Sequence, residues 1–280
     1  MKIKSFIQYM NRIAPPEYAE VWDHCGLQFG RQEAEVVGIV LALDLVPQAV
    51  DFAIVKGCNL IVTHHPAIFQ PLQTITDDDP ETELILRCIE HDIAVFSAHT
   101  NLDNAVGGVN DVLMTVLGYR PSWTPVPLDL GDAEAKIFEG ELTAGLGKTV
   151  RPGGMRAVEL AEPVGRKTLT WKLNQTLLTS GCLINFDEDQ PVERLAVSGG
   201  SFPGEWIRFL VEQQIDFLVA GEIKYHDMLT LAAHDIGCAA CGHDTSERIV
   251  MSALAEQFRS DAIAPKIEVY QGLNYNNIVF

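Results

Sequence analysis

Histidines 64 and 65 stand side by side ahead of Pro66, and two further histidines are each followed four residues later by a carboxylate, His99 by Asp103 and His243 by Glu247. Imidazole nitrogens and carboxylate oxygens are the donors that borderline divalent cations take in proteins, so the chemistry these residues suggest is metal ligation. Neighbouring side chains on an ideal strand point to opposite faces; His64 and His65 are therefore poorly placed to chelate one ion from a strand, but can serve two. Pro66 biases His65 toward extended backbone, and the C-terminal edge of a parallel sheet is where open α/β folds gather ligands. The competing reading is a pair of satisfied or exposed histidines. For the second motif it is a capping box at Thr245-Ser246-Glu247, or a carboxylate set against a helix dipole. In the metal reading, Asp244 or Thr245 caps a helix whose first turn brings Glu247 back over His243.

Other patterns are weaker. Cys238 and Cys241 form a CxxC, but three residues apart on a predicted strand they face opposite ways, which favours buried thiols over a redox or zinc pair. GLGKT at 145–149 approaches a phosphate loop, yet Leu142 stands where its first glycine is needed. Gly199, Gly200 and Gly204 follow a strand and open a helix without the GxGxxG spacing, and read as a tight turn, with anion binding at the helix start as the lesser alternative.

The elements that must position these residues occur twice. Residues 39–65 align without a gap on 196–222, pairing Phe52 with Phe209, Asn59 with Asp216 and Val62 with Val219. HDIAVFSAH from His91 to His99 is echoed by HDIGCAACGH from His234 to His243, with one residue inserted. Duplicated units pack together before either is complete, so residues distant in sequence can meet. Each copy reads as βαβαβ: strands at Val36–Leu43, Leu60–Thr63 and Ile93–Ser97 with helices at Pro47–Lys56 and Pro80–Glu90, then strands at Leu195–Val197, Phe217–Ala220 and Ile236–Cys241 with helices at Gly204–Gln213 and Lys224–Ala233. The expected class is α/β with largely parallel sheets. The expected organisation is a first α/β repeat over 1–122, a connecting segment over 123–193 and a second repeat over 194–280. In the connecting segment short strands are expected at Lys136–Thr143, Arg156–Leu160 and Thr168–Trp171, with helix around Leu173–Ser180. A helix beginning near Ser246 continues through Val250–Phe258, and Lys266–Gln271 reads as a closing strand.

The chain has 280 residues, long enough to bury about three quarters of its unfolded surface. With 20 Lys and Arg against 38 Asp and Glu, its formal charge is −18, which argues against nonspecific nucleic-acid binding, since that depends on basic residues displacing counterions. Two divalent cations would reverse the field locally and admit an anionic small molecule. No run reaches the roughly 20 apolar residues of a membrane span, and the start, MKIKSFIQYMNRI, is too short in apolar residues for a secretory signal, so a cytoplasmic location and no membrane partner are expected. The six cysteines are expected to be reduced.

WDHCGLQFG at 22–30, VTHHPAIF at 62–69, AHTNLDNAVGGVND at 98–111, GEIKYHD at 221–227 and GHDTSE at 242–247 together resemble the Nif-three-like proteins, often labelled GTP cyclohydrolase type 2 homologues. The resemblance implies two similar, intertwined α/β/α domains, a dinuclear divalent-metal site and a homo-oligomer in the form of a hexameric ring. Carried over motif by motif, it assigns His65 and Asp103 to one ion, His64 and His243 to the other, with His64 and His65 interchangeable between the two, Glu247 as the bridge, and His99 as a residue that supports the ligands or transfers a proton. Two ions so held lie about 3.5–4 Å apart and depress the pKa of a shared water enough to supply hydroxide near neutral pH. Zinc, iron, manganese and nickel all suit such ligands. The expected activity is hydrolysis of a small phosphorylated or nucleotide-like substrate with His99 or Glu247 moving the proton; the alternative is a metal-binding scaffold or carrier. Asp23-His24 stands where many relatives have Asp-Asn, which leaves the role of that loop open.

Overall fold

The structure is a computed structural model that describes residues 1–129, 150–179 and 181–272. The chain runs α1 (Ile3–Ile13), β1 (Gly26–Phe29), β2 (Ile39–Ala42), α2 (Pro47–Lys56), β3 (Leu60–Thr63), α3 (Pro80–Glu90), β4 (Ala94–Ser97), α4 (Thr100–Asn104) and α5 (Val109–Val116). A two-residue ribbon of β5 (Val126–Pro127) and β6 (Gly153–Gly154) leads to β7 (Arg156–Gly165), α6 (Arg166–Leu177), β8 (Leu183–Ile184) and β9 (Pro191–Ser201). The second copy continues with α7 (Ile207–Glu212), β10 (Phe217–Glu222), α8 (Tyr225–Ala233), β11 (Gly237–Ala240) and α9 (His243–Glu247), then α10 (Ile249–Ser260) and β12 (Ile267–Val269). The strand expected at Lys136–Thr143 and the glycine-lysine motif at 145–149 lie outside the described residues.

Residues Met1–Leu102 and Val250–Phe280 form one compact unit, and Asp103–Ile249 forms the other. In the first, the sheet has the order β1-β4-β3-β2-β12, with β12, β2, β3 and β4 parallel and β1 antiparallel at the edge. Alternation sends Val40, Ile61 and Val95 to one face, against Val50 and Ala53 of α2 and Cys88 of α3. α1 and α10 bury their apolar stripes together. Phe6 of α1 meets Phe96 and Phe258 edge-on at 5.6 and 5.7 Å. Helix ends follow local chemistry: Pro47 opens α2, Gly57 closes it at φ 62°, and the Asp79 carboxylate caps α3 by accepting from the N–H groups of Glu81 and Thr82.

In the second unit the order is β7-β9-β10-β11-β8, with β9, β10 and β11 parallel and both edges antiparallel. Ala196, Leu218 and Cys238 face Leu210 of α7 and Leu231 of α8. Leu195, Val197, Phe217, Val219 and Ala239 face Leu113 of α5, Leu117 at its C-cap, and Leu169, Leu173 and Leu177 of α6. Both units are thus built on the expected α/β plan with largely parallel sheets. The intertwining lies in the helices that end the copies: α5 follows the first copy but belongs to the second unit, while nearly all of α10 follows the second copy and belongs to the first. Arg156, fully buried, stitches the second unit together by donating to Asp111 Oδ2 of α5 at 2.6 Å and to the backbone oxygens of Ala105 and Gly153 at 2.8 Å. Burial pushes the Asp111 carboxyl up and the Arg156 guanidinium down, and their pairing opposes both shifts.

Three expectations are corrected. Thr168–Trp171 is helix, not strand, because Leu169, Leu173 and Leu177 recur every four residues and their burial against the sheet overrides the β propensity of Thr-Leu-Thr-Trp. The helix expected from near Ser246 is two helices, α9 and α10. The ungapped alignment is one residue out in its first strand, for Leu195, rather than Ala196, occupies the ladder position of Ile39: Ile39 pairs with Leu60, and Leu195 with Phe217. A one-residue slip matters because it exchanges the two faces of a strand. Cys238 and Cys241 pack into opposite sheet faces as expected, and burial pushes both thiols up to about 12. All six cysteines are free. Among the described residues, no helix is long and apolar enough to cross a membrane.

Candidate metal centre

β3 ends at Thr63, so the two histidines that follow are freed from strand alternation. The N–H groups of His64 and His65 both donate to Leu43 O just past the end of β2, at 3.1 and 3.0 Å, and the Thr63 hydroxyl donates to His65 O at 2.7 Å. This turn brings the two rings to the same side, with centroids 5.1 Å apart. His99, beyond the end of β4, stands 5.2 Å from the His64 ring and 5.5 Å from that of His65. Candidate ligand atoms of His64, His65 and His99 lie within 4.8 Å of one another. The alternation that would send adjacent histidines to opposite faces does not apply here, because the strand stops at Thr63.

Each ring is oriented through Nδ1. His64 Nδ1 contacts Ala98 O at 2.8 Å, His65 Nδ1 contacts Asp44 Oδ1 at 2.6 Å, and His99 Nδ1 contacts Asp23 Oδ1 at 3.0 Å. Carbonyl and carboxylate oxygens accept, so each ring donates from Nδ1, which in a neutral imidazole leaves the lone pair at Nε2. Asp23, whose side chain is fully buried, also accepts from the Thr100 N–H at 3.0 Å, the Thr100 hydroxyl at 2.5 Å and the Cys25 thiol at 3.1 Å. Burial opposes its ionisation, but the hydrogen bonds from His99, Thr100 and Cys25 outweigh burial and hold its carboxyl well below the usual range. Asp23 is therefore the residue of that loop with a role.

The second unit carries its own donors. Gly242, at φ 100°, turns the chain from β11 into α9, a left-handed position that favours glycine. No side-chain cap forms at this end, and Asp244 and Thr245 lie inside α9, which corrects the expected capping. One helical turn nevertheless carries Glu247 back over His243, whose Nε2 lies 3.2 Å from Glu247 Oε2 while Nδ1 lies 3.2 Å from Glu222 Oε2. Asp103 sits in α4, and its carboxylate and that of Glu247 come within 4.8 Å of each other. Glu247 is almost fully buried.

These groups fit divalent cations. Two carboxylates this close repel unless positive charge is shared between them, and imidazole Nε2 with carboxylate oxygen is a donor set for borderline metals. The backbone keeps room for them: a Cβ on Gly200, which is at φ 62°, would fall 2.1 Å from Glu247 Oε1 and 3.4 Å from His243 Nε2. Gly199 and Gly200, expected to share a tight turn with Gly204, instead lie within β9, and Gly200 leaves space for Glu247. Sequence reasoning missed Asp44 and Glu222, and their shared signal is a carboxylate 21 residues before the histidine it holds.

The family model described as Duf34/NIF3 (NGG1p interacting factor 3) matches residues 1–273. A GTP cyclohydrolase 1 type 2 homolog from Clostridium acetobutylicum is 30% identical over 247 residues, covering 88% of this chain and 85% of its own. One from Lactococcus lactis is 31% identical over 235 residues, covering 82% of each. Among solved structures, a hypothetical protein of Staphylococcus aureus is 26% identical with a TM-score of 0.84, covering 100% of this chain and 99% of its own. A Bacillus cereus protein related to NIF3 shares the fold at a TM-score of 0.82 and 22% identity, with the same coverage. With its motifs, its paired α/β units and a family match over nearly its whole length, this chain belongs to the Duf34/NIF3 family.

Proposed function

We propose that this chain is a dinuclear divalent-metal protein that hydrolyses a small phosphorylated or nucleotide-like substrate. His64, His65, Asp103, His243 and Glu247 are the ligands, and zinc, iron, manganese and nickel are the candidate ions. The observation that carries this reading is that His64, His65, His99 and His243 each turn Nδ1 to an oxygen acceptor, the arrangement that orients metal-binding imidazoles. Divalent ions bound there supply Lewis acidity and lower the pKa of the water they hold. His99, turned by Asp23, accepts a proton from the attacking water at Nε2 and returns it to the leaving group. Glu247 is the alternative proton carrier. The acidic surface of the chain repels an anionic substrate, so cation charge at the donors is also what admits one. The relatives' printed name makes GTP one candidate substrate. A hexameric ring is part of the proposal, read by sedimentation equilibrium.

The test strips the purified protein, reloads it with each metal and assays a panel of phosphoesters, cyclic amides and nucleotides. Stoichiometric metal with turnover that His243→Ala abolishes, fold and assembly intact, is the expected result. Stoichiometric metal without turnover assigns a scaffold or carrier instead. Absence of metal after mild purification reduces the histidines to packing groups.

A further inference from the structure

Trp22 and Phe69 are large aromatic residues that the proposed reaction does not use, and both stand in solvent, 56% and 49% exposed. Tryptophan is usually well buried, so an exposed indole beside a polar site calls for a partner. The two rings lie 6.1 Å apart at a tilt of 59°, too inclined to cover each other's faces, and Trp22 meets His99 edge-on at 6.0 Å.

The two residues belong to separate loops whose spacing is held. Gln28 Nε2 donates to His24 O at 2.7 Å, and Gln28 Oε1 accepts from the Ile68 N–H at 3.2 Å, so one amide pins the chain beside both rings. On the other flank, the Asp23 carboxylate and Thr100 fasten the Trp22 turn to the start of α4. The same loops line a recess of about 400 Å³, with Leu27, Ile68 and Pro71 beside Asp23, His24, Cys25 and Gln28 along its wall. Apolar walls with polar groups between them suit a flat ring that stacks on its faces and forms hydrogen bonds at its edge.

We propose that Trp22 and Phe69 form a stacking subsite for a purine or similar heteroaromatic ring, which seats the substrate with its reacting end toward His99. The proposal deepens the hydrolase reading and rests on it for the role of His99. It narrows the substrate class from any small phosphorylated compound to one that carries a flat heterocycle.

Binding is measured by equilibrium dialysis on metal-free protein, with guanosine and ribose as uncharged probes that need no cation to admit them. Guanosine should bind saturably and ribose at least about tenfold more weakly, with Trp22→Ala and Phe69→Ala each losing about tenfold in guanosine affinity, as base–aromatic stacking predicts. Trp22→Phe keeps a ring and should keep most of the binding. Equal binding of the two probes, no saturable guanosine binding, or unchanged affinity in both alanine variants overturns the proposal. A loss confined to Trp22→Ala that Trp22→Phe does not rescue also overturns it, because Trp22 is then a prop for His99. Since binding is read without metal, a barren hydrolysis panel sinks the hydrolase reading alone, and a failed binding arm sinks this subsite alone.

Discussion

An imidazole can offer a cation either of its nitrogens, and the one it offers depends on where the proton of the other goes. His65 and His243 settle this with carboxylates from outside their own motifs, Asp44 and Glu222. Asp44→Asn and Glu222→Gln preserve shape but let the amide present its N–H to the ring, which weakens the orientation and basicity of Nε2. Each substitution should lower metal affinity by about 10- to 100-fold, measured by competition with a chromogenic chelator, with the far-UV spectrum unchanged. Unaltered affinity in both variants would remove these carboxylates from the site. The histidines and their following carboxylates were readable in the sequence because residue type and recurrence are local signals. Asp44 and Glu222 were not, because nothing local links a residue to another one helix and one strand away.

That interval has an elemental cause. β2 and β3 are parallel neighbours, as are β10 and β11, so residues at or just past the ends of each pair are brought side by side. Elements punctuated by proline, glycine or a short apolar run were legible to the residue: α2, β3 and α3 have the boundaries their sequences predict. α1 escaped notice because its short stripe of Ile3, Phe6, Tyr9 and Met10 acquires meaning only against its neighbours. Within the first unit the Tyr9 hydroxyl donates to Asp261 Oδ2, just past the end of α10, at 2.7 Å. Burial first, and the Asp261 carboxylate second, raise the Tyr9 pKa above the ordinary phenol range. A group whose folded pKa is raised contributes stability that is complete below its unfolded value, about 10 for tyrosine, and is lost as pH rises beyond it. Tyr9→Phe should therefore be less stable than the parent at pH 8, and the gap should narrow by pH 11. Urea unfolding at the two values checks it, and a constant gap would show that the hydroxyl does not titrate with folding.

At the scale of the molecule, the first unit is assembled from both ends of the chain and the second from the middle. α10 gives the first unit Val250, Met251, Leu254, Ala255 and Phe258, all buried. A chain ended after Ile249 should expose Phe6 and Phe96 and lose protection in the first unit, although every residue from 1 to 102 is retained. Hydrogen exchange reports this directly: fast exchange in β2, β3 and β4 with protected β9, β10 and β11 is the expected pattern, and protection in both sheets would deny α10 its part in the core. The duplication in sequence pointed to paired units. It could not reveal which helix each would take, since amphipathic spacing marks a helix's buried face without naming the sheet it covers.

The same arrangement sets a timetable for synthesis. A ribosome releases the first sheet's strands early, yet the sheet formed by β2, β3 and β4 lacks one covering helix and an edge strand until residues 249–269 have emerged. The middle of the chain, being continuous, has all its parts earlier, so during translation the later-made unit is the first that can close. Until then the nascent first sheet carries bare apolar surface, and this is the interval in which a chaperone has something to hold.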